Sequence, residues 1–285
     1  MMAKFSRLSA VFAAAAAATL VLAGCSNSAE PESKKSEETS NTVTAGKLTI
    51  ATGEPAYEPW VHNDEPEEGE GFEAAVAFAV AKEMGYGASD VVWVRESFDG
   101  SITPGEKKWD LNIQQFSITE ERKQAVEFSE PYYKTTQAVV AAKGTDAANA
   151  KSVKDLKEVQ LGVAAGTTSL EHVKREIKPD KDPQIFNSVA DVVAALKAGN
   201  IDAMVTDLPG AFYVRDAQLD GDGVIVGQLP NSETDGDEFA FVLPKGSKIV
   251  SDVDKALQKL RDNGTLDKLV EKWLAGQDAP VLTAE

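Results

Sequence analysis

The chain has 285 residues, of which 42 % are hydrophobic and 26 % are charged, and its formal net charge is −17. This length suffices for one large domain or for two smaller lobes, each with its own hydrophobic core. The excess of acidic residues excludes nucleic acid as an expected partner, because phosphate binding requires a basic face.

The N-terminus has the pattern of a signal peptide. Lys4 and Arg7 precede an apolar run, Ala10–Gly24, which is short for a membrane-spanning helix. The run ends in Leu-Ala-Gly-Cys, which resembles the lipobox of bacterial lipoproteins, and Cys25 is the only cysteine of the chain. We therefore expect residues 1–24 to be a signal peptide and Cys25 to carry the lipid. The alternative is a buried cysteine without a modification.

Residues 25–46 contain almost no apolar side chains and are rich in Ser, Glu and Lys, which predicts a flexible tether. A lipid on Cys25 and this tether would anchor a folded domain to a bacterial membrane, on its extracytoplasmic side. The folded part is predicted to begin at Lys47, where the next apolar run starts.

Strands are predicted where short apolar runs lie between turn residues. The predicted strands are residues 47–51, 91–97, 110–114, 137–144, 160–166, 202–207 and 238–246. Helices are predicted where apolar residues recur at intervals of three and four. The predicted helices are residues 71–85, 121–128, 152–158, 167–177, 188–199, 251–264 and 265–276. This alternation predicts an α/β fold with mostly parallel sheets.

Polar side chains or aromatic rings follow several of these strands, at the edge where sheets of this kind place their binding sites. They are Glu54 and Tyr57 after the first strand, Phe98 after the second, Gln115, Ser117 and Thr119 after the third, Thr167, Thr168 and Ser169 after residue 166, and Asp207 at the end of its own strand. The sequence therefore predicts a binding site at this edge.

Arg122 is a candidate for binding an anion. It follows Glu120 and Glu121 at the predicted start of a helix, where the helix dipole favours negative charge and disfavours a cation. A guanidinium beside the N–H groups of a helix terminus matches a carboxylate, which it can hold by two parallel hydrogen bonds. The alternative is an ion pair with an acid from another element, since no acid lies three or four residues away.

Two further residues complete a possible ligand site. Thr168, after Gly166, could offer a backbone N–H and a hydroxyl group to an anion, and Asp207 could bind an ammonium group. Both residues could instead be ordinary caps of turns or helices. An arginine for a carboxylate and an aspartate for an ammonium group together describe a receptor for a zwitterionic amino acid. Tyr57, Trp60 and Phe98 could supply apolar walls, or could belong to the core.

The chain resembles the solute-binding proteins of amino-acid ABC transporters, in the polar amino-acid family. The resemblance rests on the order and spacing of GFEAAVAFAVAKEMG, DLNIQQFSITEERKQAVEFSEPYY, LGVAAGTTS and GNIDAMVTD, and covers nearly all of residues 47–273. It implies a type II periplasmic-binding-protein-like fold, in which two Rossmann-like α/β lobes are joined by two crossover strands. The implied boundaries are 47–133 and 236–285 for lobe 1, 136–232 for lobe 2, and crossovers near 134–135 and 233–235.

The resemblance also implies a role for several residues. Arg122 would hold the α-carboxylate of the ligand, and Thr168 would complete that site from the other lobe. Ser117 would contact both the carboxylate and the ammonium group, and Asp207 would hold the ammonium group.

Other positions concern the side chain of the ligand. The resemblance places Tyr57 and Phe98 around that side chain, and Glu54 near an acidic position that contacts it. Gln115 departs from the family, which usually has glycine there, and its side chain could reach into the cleft. Glu54 and its acidic surroundings favour a cationic or a neutral polar amino acid.

The implied function is that of a monomeric lipoprotein that captures a polar amino acid and delivers it to the permease of an ABC importer. No cofactor and no metal are expected. An amino-acid sensor is an alternative, and a dehydratase on the same fold is another. A dehydratase would need a general acid or base, and His62 and His172 are the only histidines of the chain.

Overall fold

The computed structural model describes residues 41–230 and 236–285. The predicted signal peptide, Cys25 and most of the predicted tether lie outside these residues, as does the second predicted crossover at 233–235.

Ten strands form two five-stranded sheets within the described residues. The strands are β1 (Leu48–Thr52), β2 (Val91–Arg95), β3 (Leu111–Asn112), β4 (Val126–Thr135), β5 (Gln137–Ala142), β6 (Leu161–Ala164), β7 (Gln184–Phe186), β8 (Ala203–Asp207), β9 (Gly223–Gln228) and β10 (Asp237–Pro244). The first sheet has the order β2-β1-β3-β10-β4 and the second the order β7-β6-β8-β5-β9. We call the parts of the chain around them lobe 1 and lobe 2.

The two sheets have the same plan. In lobe 1, β1 is parallel to β2 and β3, and β10 is antiparallel to β3 and β4. In lobe 2, β6 is parallel to β7 and β8, and β5 is antiparallel to β8 and β9. The prediction of mostly parallel sheets is therefore wrong for half of the strand pairs. The antiparallel pairs arise because β5 and β10 have each crossed from the other lobe.

In the part of the chain that the structure describes, seven α-helices accompany these sheets. They are α1 (Phe72–Glu83), α2 (Phe98–Ile102), α3 (Ser169–His172), α4 (Val189–Lys197), α5 (Leu208–Tyr213), α6 (Val250–Asp262) and α7 (Thr265–Leu274). Wider π-helical turns extend α3 through Val173–Ile177 and α5 through Val214–Gln218. Short 3₁₀ turns are His62–Asp64, Pro66–Glu68, Ala88–Asp90, Arg122–Gln124, Asp146–Asn149 and Lys154–Leu156.

The core of lobe 1 lies between its sheet and α1, α6 and α7. Phe72 and Val76 of α1 are fully buried against Leu48 and Ile50 of β1, and burying side chains of this size contributes roughly 1.5–3 kcal/mol each. Gly71 begins α1 at φ 96°, and an added Cβ there would lie 2.5 Å from the Trp60 carbonyl oxygen. The sequence therefore needs glycine at this tight entry to the helix.

Most predicted elements are confirmed, including every predicted strand and the helices at 71–85, 167–177, 188–199, 251–264 and 265–276. Ser188 caps α4 by accepting a hydrogen bond from the Asp191 N–H, as its position suggests. The strands β4, β7 and β9 and the helices α2 and α5 were not predicted. The confirmed two-lobed α/β architecture does not depend on these additions.

The helix predicted at 121–128 is wrong. A single 3₁₀ turn, Arg122–Gln124, is followed at once by β4, which pairs with β10 along most of its length. The strand buries every third side chain, from Val126 to Thr135, and its register with β10 shifts at two places. This pairing outweighs the local helix propensity of its charged residues. The helix predicted at 152–158 is also only one turn, Lys154–Leu156, because the chain must enter β6 at Leu161.

The lobes are connected in more than one place. Thr136 alone separates β4 of lobe 1 from β5 of lobe 2, next to the crossover predicted at 134–135. After α7 the chain returns to lobe 2, where the Leu282 N–H donates to the Gln228 carbonyl at the end of β9. Leu282 is buried in the core of lobe 2, although the sequence had assigned all of 236–285 to lobe 1.

A search of the described residues for membrane-spanning segments found no helix with the length and apolar character that crossing a bilayer requires.

Candidate functional site

A cavity of about 390 Å³ lies between the two lobes, at the carboxyl ends of β1, β3, β6 and β8. All eight residues predicted to bind a ligand line it: Glu54, Tyr57, Phe98, Gln115, Ser117, Arg122, Thr168 and Asp207. The structure thus brings together residues that are far apart in sequence. Their contacts with a ligand remain a prediction.

Arg122 is the central cation of this cavity. Its side chain donates to the Ser117 carbonyl in lobe 1 and to the Gly166 carbonyl in lobe 2, each at 2.7 Å. Among the described residues, three of the five guanidinium donors make no hydrogen bond. Because the residue is only 8 % exposed and forms no ion pair there, these donors are well placed for an anion in the cavity.

The surroundings of Arg122 fix its orientation. The guanidinium carbon lies 5.4 Å from the centre of the Phe98 ring, and that ring stacks on Phe116 at 4.6 Å. Burial lowers the pKa of Arg122, while the negative charge of Asp237 acts in the opposite direction. Since Arg122 lies in a 3₁₀ turn rather than at a helix terminus, the expected contribution of a helix dipole is wrong, and the anion site depends on the guanidinium itself.

Asp207 lies at the end of β8 and is also the N-cap of α5. Its Oδ1 accepts from the Gly210 N–H at 2.8 Å, so the interpretation as a cap is confirmed. The residue also lines the cavity, so the same carboxylate caps the helix and belongs to the candidate site. Burial raises the pKa of the Asp207 carboxyl to about 6, against the lowering effect of the Gly210 hydrogen bond. A neighbouring ammonium group would stabilise its ionised form.

Thr168 connects the two lobes through a directed series of hydrogen bonds. Its hydroxyl lies 3.1 Å from Asp237 Oδ2 and 3.3 Å from the Ser117 hydroxyl. Asp237 also accepts from Gln137 and faces His172 Nε2 at 3.2 Å. These bonds hold the pKa of Asp237 below its usual value in spite of burial, which by itself would raise it.

Because Asp237 is ionised, the Thr168 hydroxyl must donate to it, and the Ser117 hydroxyl must then donate to Thr168. The predicted carboxylate contact from Thr168 is therefore left to its backbone N–H, since its hydroxyl proton is already used. This refines the prediction for Thr168, which had included both groups.

Gln115 is held in an unusual conformation by a buried acid. Its φ is 53°, in the left-handed region, and its backbone N–H donates to Glu73 Oε1 at 2.8 Å. The Gln115 side-chain amide and the Tyr132 hydroxyl also bond to Glu73. Burial raises the pKa of Glu73 to about 7. The side chain that was expected to reach into the cleft is thus tied at one end to the core of lobe 1.

The wall beside Gln115 contains three acceptor side chains. Gln114, Glu54 and Glu96 line the cavity next to Gly53, after the ends of β1, β2 and β3. Gln114 is only 7 % exposed, and its amide nitrogen donates away from the cavity, to Asn112 Oδ1 at 2.9 Å. Within residues 41–230 and 236–285, Arg122 is the only lysine or arginine that lines the cavity.

The aromatic residues divide between site and core. Tyr57 and Phe98 line the cavity, whereas Trp60 is buried among Phe72, Tyr133 and Phe239 and does not. Trp60 is therefore a core residue, which was the alternative interpretation.

Several residues that hold the candidate site in place could not be identified from the sequence. Glu73 has the appearance of an ordinary polar position on α1, and Asp237 lies at the start of a strand. Gln114 and Asn112 did offer a signal, because residues two apart in a strand share one face. No group of three or more potential metal ligands was found in residues 41–230 and 236–285.

The sequence matches known proteins over the same region. The model of the bacterial extracellular solute-binding proteins, family 3, matches residues 48–276. The arginine-binding periplasmic protein of Mannheimia haemolytica is 31 % identical over 238 residues, which cover 82 % of this chain and 94 % of that protein.

Solved structures show the same similarity. An ancestral arginine-binding protein bound to glutamine is 33 % identical with a TM-score of 0.67, over 81 % of this chain and 98 % of that one. The ancestral amino acid-binding protein AncCDT-1, a precursor of cyclohexadienyl dehydratase, is 31 % identical with a TM-score of 0.63, over 80 % and 95 % of the two chains.

Proposed function

The chain belongs to family 3 of the bacterial extracellular solute-binding proteins, and from this premise we propose that it captures a polar amino acid between its lobes and delivers it to an ABC importer. The observation that carries the proposal is one cavity with opposite charges on opposite lobes. Arg122 of lobe 1 supplies a guanidinium, and Asp207 of lobe 2 supplies a carboxylate. A free amino acid carries the complementary pair of charges.

The ligand would be bound by its backbone groups first. Its α-carboxylate accepts from Arg122 and from the backbone N–H of Thr168, and its ammonium group donates to Asp207. Hydrogen bonds between charged groups are worth about 1.5–3 kcal/mol each. A buried Asp207 without a cation is unfavourable, because burial disfavours its ionised form. Both ends of the amino acid are therefore needed.

Binding would favour the closed arrangement of the lobes. Arg122 already bonds to Gly166 across the cleft, and Ser117 meets Thr168 there. A ligand that contacts both lobes binds the closed form more tightly than the open one, and so shifts the population toward it. The permease would then recognise the closed form.

The similar proteins support a polar amino acid and leave its side chain open. One relative is named for arginine, and one ancestral arginine-binding structure contains glutamine. The neighbour AncCDT-1 is a precursor of a dehydratase. We propose binding without bond cleavage here, since the cavity supplies charge complementarity to both ends of a zwitterion and its acids serve as acceptors.

We also propose that the mature protein is a monomer anchored through a lipid on Cys25, with residues 25–46 as its tether. The support is the sequence Leu22–Cys25 after a basic and apolar N-terminus. Replacement of Cys25 by alanine is expected to remove a metabolically incorporated fatty acid from the protein. Labelling that persists in this variant would contradict the anchor.

The binding proposal is tested by a thermal-shift screen of the full-length protein with the twenty amino acids, followed by calorimetry of the best ligand. Binding to the native state raises its stability, so at least one polar amino acid is expected to raise the melting temperature. The methyl ester and the N-acetyl derivative of that amino acid each lack one charged end. Each is expected to bind at least a hundredfold more weakly, and equal binding of either derivative would contradict the proposal.

A further inference from the structure

We propose that the end of the cavity that receives the ligand side chain selects a cation with several N–H donors, a guanidinium or an ammonium group, and that Gln114 is the residue that imposes this choice. The inference rests on the proposed function, because it concerns the side chain of the same amino acid. It depends on the direction in which one buried amide points. That direction follows from a series of hydrogen bonds that begins at a backbone carbonyl.

The series begins at Ser97. The Ser101 hydroxyl lies 2.7 Å from the Ser97 carbonyl oxygen, which can only accept, so the hydroxyl proton points toward Ser97. The oxygen of Ser101 is then an acceptor, and the side chain of Asn112 lies 2.7 Å from it. Asn112 must present its NH₂ group to Ser101. Ser101 and Asn112 are both completely buried, so water does not compete.

The direction of Asn112 determines the direction of Gln114. With its NH₂ group on Ser101, Asn112 turns its Oδ1 toward Gln114, which must donate to it with Nε2 at 2.9 Å. The same Nε2 lies 3.3 Å from the backbone carbonyl of Glu96, a second acceptor. A flipped amide would place two oxygens against each other at both positions. Both N–H donors of Gln114 are therefore used inside lobe 1.

The other end of Gln114 is left for the cavity. Its Oε1 lies beside Gly53, where an added Cβ would be only 3.2 Å away, and both residues line the cavity. Oε1 makes no hydrogen bond to any described residue, and the side chain is more than nine-tenths buried. Oε1 is thus an acceptor that is open to the cavity, and a ligand that displaces water from it must supply a donor in its place.

The neighbouring groups add negative charge and further acceptors. Glu54 follows Gly53 in the chain, the Glu96 carbonyl lies 3.3 Å from Gln114 Nε2, and both glutamates line the cavity. One carboxylate oxygen of Glu96 accepts from the Ser97 N–H at 3.0 Å, which leaves its other oxygen as an acceptor. The nearby cation Arg95 is directed elsewhere, since it donates to Asp64 and to the Gly53 carbonyl. Lys107 donates to the carbonyls of Gly100 and Thr103, and neither cation lines the cavity.

These acceptors distinguish between anionic, amide and cationic side chains of the ligand. An anionic side chain would face two carboxylates and an amide oxygen. The amide side chain of glutamine could donate to Gln114, but its own oxygen would find no donor among these groups. A guanidinium carries only donors, so it can donate both to the amide oxygen and to the carboxylates. The expected order of affinity is arginine first, lysine next, then glutamine, with glutamate last.

The test is calorimetry of the full-length protein with L-arginine, L-citrulline, L-glutamine and L-glutamate. Citrulline has nearly the shape of arginine, with an oxygen in place of one NH₂ group. We expect arginine to bind at least tenfold more tightly than citrulline and at least a hundredfold more tightly than glutamate. Comparable or tighter binding of citrulline or glutamate would overturn the inference while leaving the proposed function intact. If no amino acid binds, the proposed function itself fails.

Variants of Gln114 test its role directly. Gln114→Met keeps the length of the side chain and removes the acceptor, and should lower the preference for arginine over citrulline at least fivefold. Gln114→Glu keeps an acceptor but loses the donors to Asn112 and to the Glu96 carbonyl, so in a folded protein it should keep or increase that preference. Gln184→Met, the same change at an exposed position in β7, should leave it unchanged. If Gln114→Met does not fold, the ligand ratios of the wild-type protein and of Gln114→Glu decide. An unchanged preference in a folded Gln114→Met protein would overturn the inference.

Discussion

The two walls of the cavity are built in different ways. On lobe 1, long side chains carry the contacts, and other side chains hold them in place, as Phe98 holds Arg122 and Asn112 holds Gln114. On lobe 2, the contacts come from short groups at the starts of helices, the carbonyl of Gly166 and Asp207 as the cap of α5. We infer that lobe 1 decides which amino acid binds, and that lobe 2 adds affinity that is common to all of them.

The largest expected effect on affinity comes from replacing Arg122, the cation in the lobe 1 wall of the cavity. Arg122→Lys keeps the positive charge, but one ammonium group cannot bond to the Ser117 and Gly166 carbonyls and also hold a carboxylate in a bidentate manner. We expect affinity for the best amino acid to fall more than a hundredfold in calorimetry. Lys123→Ala, at an exposed neighbouring position, should retain normal affinity. An affinity of Arg122→Lys within threefold of wild type would contradict this assignment.

A smaller effect on affinity is expected when the Asp207 carboxyl, in the lobe 2 wall of the cavity, is protonated. The pKa of Asp207 is raised to about 6 in the free protein, and the proposed contact with the ligand's ammonium group requires the ionised form. Below pH 6 the proton must leave before the ligand binds, so affinity should fall as the pH falls, approaching tenfold per pH unit.

The control for this titration is Asp207→Asn, which should bind more weakly at pH 7 and lose most of the slope between pH 5 and 6. Asp191→Asn, an exposed acid in α4, should keep the wild-type slope. A flat profile of the wild-type protein between pH 5 and 6 would show that Asp207 does not meet the ammonium group.

The smallest expected effect sharpens the comparison between the walls. Thr168→Val removes a hydroxyl that donates to Asp237 and accepts from Ser117, and should cost about 1 kcal/mol, or roughly fivefold in affinity. The loss should be equal for arginine and citrulline, because Thr168 is proposed to contact the α-carboxylate, which both ligands share. Calorimetry with both ligands gives the ratio of their affinities. A ratio that differs from the wild-type value would show that specificity extends to lobe 2.

Much of this arrangement could be predicted from the sequence, since strands and helices in a known order place their ends at one edge of a sheet. Arg122 and Asp207 were found in this way. The helix predicted around Arg122 failed, because β4 pairs with β10, more than a hundred residues further along the chain. The direction of the Gln114 amide was also beyond the sequence, since it depends on three side chains and a carbonyl that meet only in the folded protein.

The chain end offers a practical consequence. The Leu282 N–H donates to the Gln228 carbonyl, and Thr283 accepts from the Val153 N–H, so the last residues travel with lobe 2 even though α7 belongs to lobe 1. A fluorophore attached near Glu285 should therefore report displacement relative to a second dye on α6. An optical biosensor for the bound amino acid could be built on that pair without touching the cavity.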